Sequence, residues 1–223
     1  MTHPSLSLSF RRGCSALAIA ISALLASQAV QAANQTWSGT TSGDWATVGN
    51  WVGLAAPGAT SGTTNGDTAT FNTSPTNKTV TIDIGRNLKN LTFDLVGAGA
   101  FTIGSAGANA GNTLKLTSGG TIAVNSTVTT VQTINAPLQI QAGSYTLNAS
   151  GATTGLLVIN GDLTAAGSAT LNLIGTNTGL NTVSGVIAKG TATTFNLAKS
   201  GAGQWVLAGA NTYNGSTLIA RGR

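Results

Sequence analysis

The sequence predicts an all-β protein built as a parallel β-helix, in which short strands stack coil upon coil. Three observations favour this fold class. Only 7% of the 223 residues are charged, while 30 are glycine, and runs rich in Thr, Val and Ile alternate with Gly-rich breaks as strands and turns do. A repeat of 24 residues occupies the C-terminal third. Helical periodicity is almost absent after Ala33.

Residues 1–32 are predicted to be a secretory signal peptide. Arg11 and Arg12 precede an apolar run at 16–26, which is too short for a membrane-spanning helix. Small residues at −3 and −1 predict cleavage between Ala32 and Ala33. An uncleaved N-terminal membrane anchor is the alternative.

Cleavage would remove every His, Cys and Met, which are His3, Cys14 and Met1. Two of the ten Lys/Arg leave as well, so that eight remain against five Asp and no Glu. Disulfides are then impossible. We expect no cofactor and no nucleic-acid partner, because binding nucleic acid requires a basic stripe and these charges are scattered.

Residues 33–70 form a second, irregular segment, predicted to close the first coil. Three of the four tryptophans lie here, at Trp37, Trp45 and Trp51. We interpret them as an aromatic cap over the open end of the solenoid. The alternative interpretation is a sugar-stacking platform, since indole faces suit pyranose rings.

Residues 71–223 are predicted to form the solenoid itself. Its clearest rows begin at Thr146, Thr170 and Thr194 and align without gaps. Because alternation separates two faces, we expect one apolar column to stack inside and an asparagine column to stack as an amide ladder, which either stabilises the fold or presents a flat ligand surface. Glycines are expected at corners with positive φ. The aligned columns are Leu147, Leu171 and Phe195; Asn148, Asn172 and Asn196; Ile159, Val183 and Leu207; and Gly161, Gly185 and Gly209. A β-sandwich with hairpins is the alternative.

The segment Leu197–Gly222, LAKSGAGQWVLAGANTYNGSTLIARG, resembles the autotransporter-associated β-strand repeat, also called the passenger-associated transport repeat. The matching residues are Lys199, Gly201, Gly203, Trp205, Leu207, Gly209, Asn211, Thr212, Tyr213, Gly215, Thr217, Ile219 and Gly222. The resemblance implies a right-handed β-helix in the passenger region of a Gram-negative surface protein. It also implies two partners, the export machinery and an outer-membrane β-barrel translocator, with the repeat assisting passage from the periplasm to the cell surface.

The chain reaches Arg223 where a further rung would begin, so we expect a fragment of a longer protein or a truncated gene, with the translocator in downstream sequence. Without His, Cys or Glu, the mature chain could form neither a Ser-His pair nor an ordinary zinc site. The five aspartates fall in no common column: Asp44, Asp67, Asp83, Asp94 and Asp162. We therefore predict a non-enzymatic passenger segment. The alternative is a carbohydrate-binding adhesin, with a glycan partner, or a polysaccharide-degrading β-helix.

Overall fold

The computed structural model describes residues 34–95, 97–105, 107 and 111–220. The predicted signal peptide and its cleavage site at Ala32 and Ala33 lie outside them. The described strands are β1 (Gln35–Thr36), β2 (Thr68–Phe71), β3 (Thr79–Val80), β4 (Asn87–Phe93), β5 (Thr102–Ile103), β6 (Leu114–Val124), β7 (Gln132–Ile134), β8 (Leu138–Ile140), β9 (Gly143–Ala149), β10 (Leu157–Ile159), β11 (Leu163–Ala165), β12 (Ala169–Ile174), β13 (Asn181–Val183), β14 (Ile187–Ala188), β15 (Phe195–Ser200), β16 (Trp205–Leu207) and β17 (Thr217–Ala220). One 3₁₀ turn covers Val48–Asn50. No helix in the described ranges has the length and apolarity needed to cross a membrane.

The strands stack in parallel along three faces, which confirms the predicted all-β solenoid. The first face runs β1-β2-β4-β6-β9-β12-β15-β17, and the second runs β16-β13-β10-β7-β5-β3. The third face joins the start of β6 to β8, β11 and β14. Every pairing between named strands in the described part is parallel. The β-sandwich alternative is therefore wrong, because its hairpins would give antiparallel pairs.

Alternating side chains build the core of the solenoid. In β12 every second residue is buried. The same alternation of buried and half-buried residues covers Tyr145 to Ala149 in β9 and the first three residues of β15. On the second face Ile134, Ile159 and Val183 lie in direct register and are fully buried. Burying a side chain of this size contributes about 1.5–3 kcal/mol. Each rung therefore gains its stability mainly from the rung beneath it.

The first face departs from the predicted columns by two residues. Leu147 lies opposite Leu173, and Leu171 lies opposite Tyr145 and Leu197. The predicted Leu147–Leu171–Phe195 column is therefore wrong in register, although all three side chains are buried in neighbouring strands. A shift of two keeps each residue on its own side of the sheet, so the core tolerates it.

The corners absorb this shift. From the first face to the second, the separation falls from twelve residues (Leu147 to Ile159) to ten (Leu173 to Val183) and then to eight (Lys199 to Leu207). From β10 onwards the second face keeps a 24-residue spacing, from Val158 to Thr182 to Val206. The 24-residue repeat in the sequence thus belongs to the C-terminal rungs of the second and third faces. The first face instead advances by 26 residues from β9 to β12 and from β12 to β15, and by 20 from β15 to β17.

The predicted amide ladder does not form. Asn172 lies opposite Thr146 and Ala198, not opposite Asn148 or Asn196. Its Nδ2 donates instead to Ser144 Oγ at 2.8 Å and to the carbonyl oxygen of Tyr145 at 2.9 Å. The flat asparagine surface that would have followed from the ladder is therefore wrong as well.

Gly161, Gly185 and Gly209 do stack, but for a different reason from the one predicted. None of the three has a positive φ. A Cβ built on Gly185 would overlap the carbonyl oxygen of Gly161, and one on Gly209 would overlap that of Gly185. Glycine is required here because the chain passes directly over the backbone of the preceding rung.

Asn181 holds three successive rungs together from inside the corner. It is fully buried. Its Oδ1 accepts a hydrogen bond from Leu157 N at 3.0 Å, and its Nδ2 donates to the carbonyl oxygen of Gln204 at 3.0 Å. The same amide also donates to the carbonyl oxygens of Asn177 and Gly179, both at 3.2 Å. Backbone groups that the corner leaves unpaired are thereby satisfied.

The three tryptophans of the N-terminal segment form the predicted aromatic cap. Trp37, Trp45 and Trp51 are at most 1% exposed. Trp51 makes edge contacts with both others, at centroid distances of 5.0 and 4.9 Å. Phe71 continues the cluster into the first rungs at 5.9 Å from Trp51. Because the indole faces are covered by protein, the cap interpretation stands and the sugar-stacking platform does not.

Candidate functional site

The segment singled out by its sequence forms the last described rung, and it begins at the end of β15. Lys199 occupies the inward column that holds Leu173 in the rung before it. Its Nζ donates to the carbonyl oxygens of Ser200 at 3.1 Å and of Gly201 at 2.9 Å. Gly201 has φ +77°, which favours glycine. The lysine thus continues an apolar column with its stem while its ammonium group binds the carbonyls of the turn.

Trp205 starts β16 and lies in register with Asn181. Its indole Nε1 donates to the carbonyl oxygen of Ile174 at 3.0 Å. Trp205 and Leu207 are both partly buried against the core cluster. This side chain therefore ties the last rung back to the end of β12 on the first face.

The motif Asn211-Thr212-Tyr213-Asn214-Gly215 makes a short corner between the third face and β17. Asn211 Oδ1 accepts a hydrogen bond from Ile187 N at 2.8 Å. The carbonyl oxygen of Ile187 accepts hydrogen bonds from the backbone N–H groups of Thr212 and Tyr213 at 2.9 and 3.1 Å. Five residues separate Thr212 from Thr217, whereas nine separate their register partners Ala188 and Leu197.

Tyr213, Asn214 and Gly215 fit this short corner onto the start of β15. The Tyr213 ring lies edge-on to Phe195 at 6.4 Å, and its hydroxyl is 2.8 Å from Thr217 Oγ1. Asn214 Oδ1 accepts a hydrogen bond from Phe195 N at 3.1 Å. A Cβ on Gly215 would overlap the carbonyl oxygen of Phe195. The motif residues thus each make a contact that the tight turn requires.

Thr217 and Ile219 lie on β17, which pairs with β15 on one side only among the described residues. All four residues of β17 are exposed, and Leu218 and Ile219 are 60% and 68% exposed. The outer backbone edge of this strand is thus unpaired among the described residues, and its apolar side chains are exposed. Gly222, the last motif residue, lies outside the described residues.

Residues 197–223 match the family model of the passenger-associated-transport-repeat. This repeat therefore comprises the end of β15, β16, the short corner and β17. Comparisons with curated proteins and with solved structures returned no match. The β-solenoid and the passenger-associated-transport-repeat together fit the passenger region of an autotransporter.

Three of the five aspartates bind backbone N–H groups in separate parts of the solenoid. Asp162 Oδ1 accepts a hydrogen bond from Val186 N at 2.7 Å, and Asp67 Oδ2 accepts one from Gly58 N at 2.7 Å. Asp94 Oδ1 accepts from Leu95 N at 2.8 Å. Within the described ranges no three His, Cys, Asp or Glu residues come together as a metal-binding group.

Sequence reasoning missed the remaining two aspartates as a pair. Asp44 lies in the cap segment and Asp83 follows β3, yet both line one cavity of about 280 Å³. An isolated parallel bridge between Asp44 and Thr81 brings these segments together. No repeat or spacing in the sequence signals this bridge, since the cap segment has no period.

Proposed function

We propose that the chain is a non-enzymatic passenger segment of an autotransporter-like protein, displayed on a Gram-negative cell surface. In this proposal its C-terminal repeat assists folding and passage across the outer membrane through a β-barrel translocator. The observation that carries the proposal is the bonding of the last rung. Trp205, Asn211 and Asn214 each bind backbone groups of earlier strands, so this rung docks on the solenoid by contacts of its own.

A rung held in this way can act as a folding template. In a solenoid each coil contacts only its neighbours, so folding nucleates locally and then propagates. The edge of β17 that is unpaired among the described residues offers backbone groups for a next strand, and Ile219 continues the inward column of Leu173 and Lys199. Folding that proceeds rung by rung outside the membrane would bias the transit of an unfolded chain in one direction.

The test is the amount of protein on the surface of its native cells, expressed from its own locus. We expect Trp205→Ala to lower the surface amount, measured by protease accessibility on intact cells. The substitution removes a half-buried indole and its hydrogen bond to Ile174, and it should lower the free energy of unfolding by about 3 kcal/mol. Thr182→Ala, an outward-facing change on β13, is the neutral control.

A second control separates export from stability. Gly185→Ala lies outside the repeat and destabilises the solenoid by overlap with the backbone of Gly161. If Trp205→Ala lowers the surface amount no more than a Gly185→Ala variant of equal stability, the repeat acts only as one more rung and the proposal fails. The alternative function, a surface adhesin, would show unchanged surface amounts together with loss of glycan binding.

A further inference from the structure

A cavity of about 280 Å³ opens beside the aromatic cap, between residues 44–47 and 81–83. Ligand pockets in proteins commonly span about 300–1,000 Å³, so this cavity is of a size for one small ring and not for a long chain. Trp45 is one of the residues around this cavity, but it is fully buried, so no indole face is exposed for a ligand to stack on. Recognition in the cavity therefore depends on polar groups and not on stacking against an indole.

The polar groups that line the cavity are two carboxylates and two hydroxyls. Asp44 Oδ1 accepts a hydrogen bond from the Thr81 hydroxyl at 2.6 Å. Its Oδ2 makes no hydrogen bond to any described residue. Both oxygens of Asp83 are bound by Arg86, at 2.8 and 2.6 Å. Thr47 supplies the second hydroxyl.

The balance of charge in the cavity is negative. Arg86 neutralises Asp83 in a bidentate ion pair, and its other nitrogen binds the carbonyl oxygens of Pro57 and Gly58. Asp44 has no cationic partner among the described residues. One unpaired carboxylate beside hydroxyl acceptors and donors suits a ligand that carries a cationic amine next to hydroxyl groups.

The backbone holds the cavity in a preformed shape. Trp45 N donates to the carbonyl oxygen of Thr81 at 3.0 Å, and Thr81 N donates to that of Gly43 at 2.9 Å. The buried Asn50 fixes the loop on the other side, because its Nδ2 donates to the carbonyl oxygen of Asp44 at 2.9 Å. A preformed site loses little conformational freedom on binding.

We propose that this cavity binds a single amino-sugar unit, with Asp44 Oδ2 accepting from the ammonium group and Thr47 and Thr81 contacting neighbouring hydroxyls. The ligand class is a hexosamine with a free amine, as distinct from its N-acetylated form, which carries no charge. This proposal does not depend on the transport role of the C-terminal repeat, which lies at the opposite end of the described strand order.

The experiment is an NMR titration of the purified chain with glucosamine, N-acetylglucosamine and glucose. We expect glucosamine to bind with a Kd on the order of 1 mM, and the two neutral sugars to bind about tenfold more weakly, as the loss of one charge-assisted hydrogen bond implies. Asp44→Asn should abolish the preference for glucosamine. Asp94→Asn makes the same change of charge elsewhere and should leave it intact.

A second variant tests the hydroxyl contact, and calcium chloride tests whether Asp44 simply binds cations. Thr47→Val removes one hydroxyl, and we expect it to weaken all three sugars alike if it folds as the parent does by circular dichroism. Equal binding of glucosamine and N-acetylglucosamine, or no saturable shift at Asp44, Thr47 and Thr81, would overturn the proposal. So would an Asp44-dependent response to calcium chloride with none to sugar.

Discussion

Gly185 lies against the carbonyl oxygen of Gly161, and Gly209 repeats the contact one rung later. At this column the backbone itself is the packing surface, so even a methyl group has no space. Aligning the repeats of the chain with one another shows this glycine column. The steric reason for glycine becomes visible only when the pairing of the strands is known. The commoner role of glycine, supplying a positive φ, belongs to other positions such as Gly201 and Gly175.

We predict that Gly185→Ala lowers the free energy of unfolding by about 1–3 kcal/mol, because overpacking forces the backbone to shift. Gly97→Ala is the matched control. Its Cβ would meet only the carbonyl oxygen of Asn72, at 3.9 Å, so we expect a change within about 0.5 kcal/mol. Chemical denaturation of the two variants measures the difference. Equal losses in both would contradict the stacked-backbone explanation.

Tyr145 predicts how stability responds to alkaline pH. Burial raises the pKa of its phenol, and the hydrogen bond from Gln141 N to the hydroxyl, at 2.9 Å, opposes this shift. A raised pKa in the folded state means that the contribution of the phenol is complete below its unfolded pKa of 10.0. It is lost as the pH rises from there through the folded value.

We therefore expect the free energy of unfolding to decline above about pH 10, and less steeply in Tyr145→Phe. At neutral pH the same variant should be less stable by about 1–3 kcal/mol, because Gln141 N loses its partner. Urea titrations of the parent and the variant at neutral and alkaline pH measure both effects. Parallel pH profiles would show that Tyr145 titrates alike in the folded and unfolded states.

At the scale of elements, the sequence predicted the second and third faces better than the first. On the second face the 24-residue columns fall in register, as Ile159, Val183 and Leu207 do. On the first face β9, β12 and β15 follow one another at 26 residues, as from Leu147 to Leu173. Alternation has a period of two, so a shift of two leaves the pattern of buried and outward residues unchanged. The pattern therefore contains no information that could detect this shift.

The candidate site divides in the same way. The residues of the C-terminal repeat, such as Asn211 and Gly215, could be recognised because a tight corner requires particular side chains at fixed offsets. The cavity at Asp44 and Asp83 could not, because it depends on a bridge between Asp44 and Thr81 across a loop without a period. A turn can be predicted from the residues next to one another in the sequence, whereas a contact between two distant segments cannot.

Asn181, the buried first residue of β13, contributes to the stability of the solenoid through its hydrogen bonds. We expect Asn181→Ala to lower the free energy of unfolding by at least about 2 kcal/mol, since Leu157 N and the carbonyl oxygen of Gln204 lose their partner inside the protein. Thr182→Ala, one residue along the same strand, should change little. Denaturation of both variants tests this, and similar values for the two would show that water replaces the lost amide.

At the scale of the whole molecule, the two ends of the described solenoid differ in how they are closed. The N-terminal end is covered by Trp37, Trp45 and Trp51, which are buried. At the other end β16 is only partly buried and β17 is exposed along its length. Because each rung depends on its neighbours, the stability of the amides should fall towards β17.

We predict that hydrogen exchange, followed by mass spectrometry, is fastest in peptides covering β16 and β17 and slowest in those covering β4, β6 and β9. Local opening should begin at the thinly packed end and proceed inwards. Uniform exchange across all rungs would mean instead that the solenoid opens only as one cooperative unit.

The parallel stacking also fixes how far such a protein can extend. Neighbouring strands lie about 4.8 Å apart, so a rung of 24 residues, such as Val158 to Thr182, lengthens the molecule by that distance alone. To stand roughly 100 Å away from a surface, a solenoid of this design needs about 20 rungs, or on the order of 500 residues. Each added residue therefore increases the length of the molecule only slightly, whereas it adds directly to the lateral surface of the solenoid.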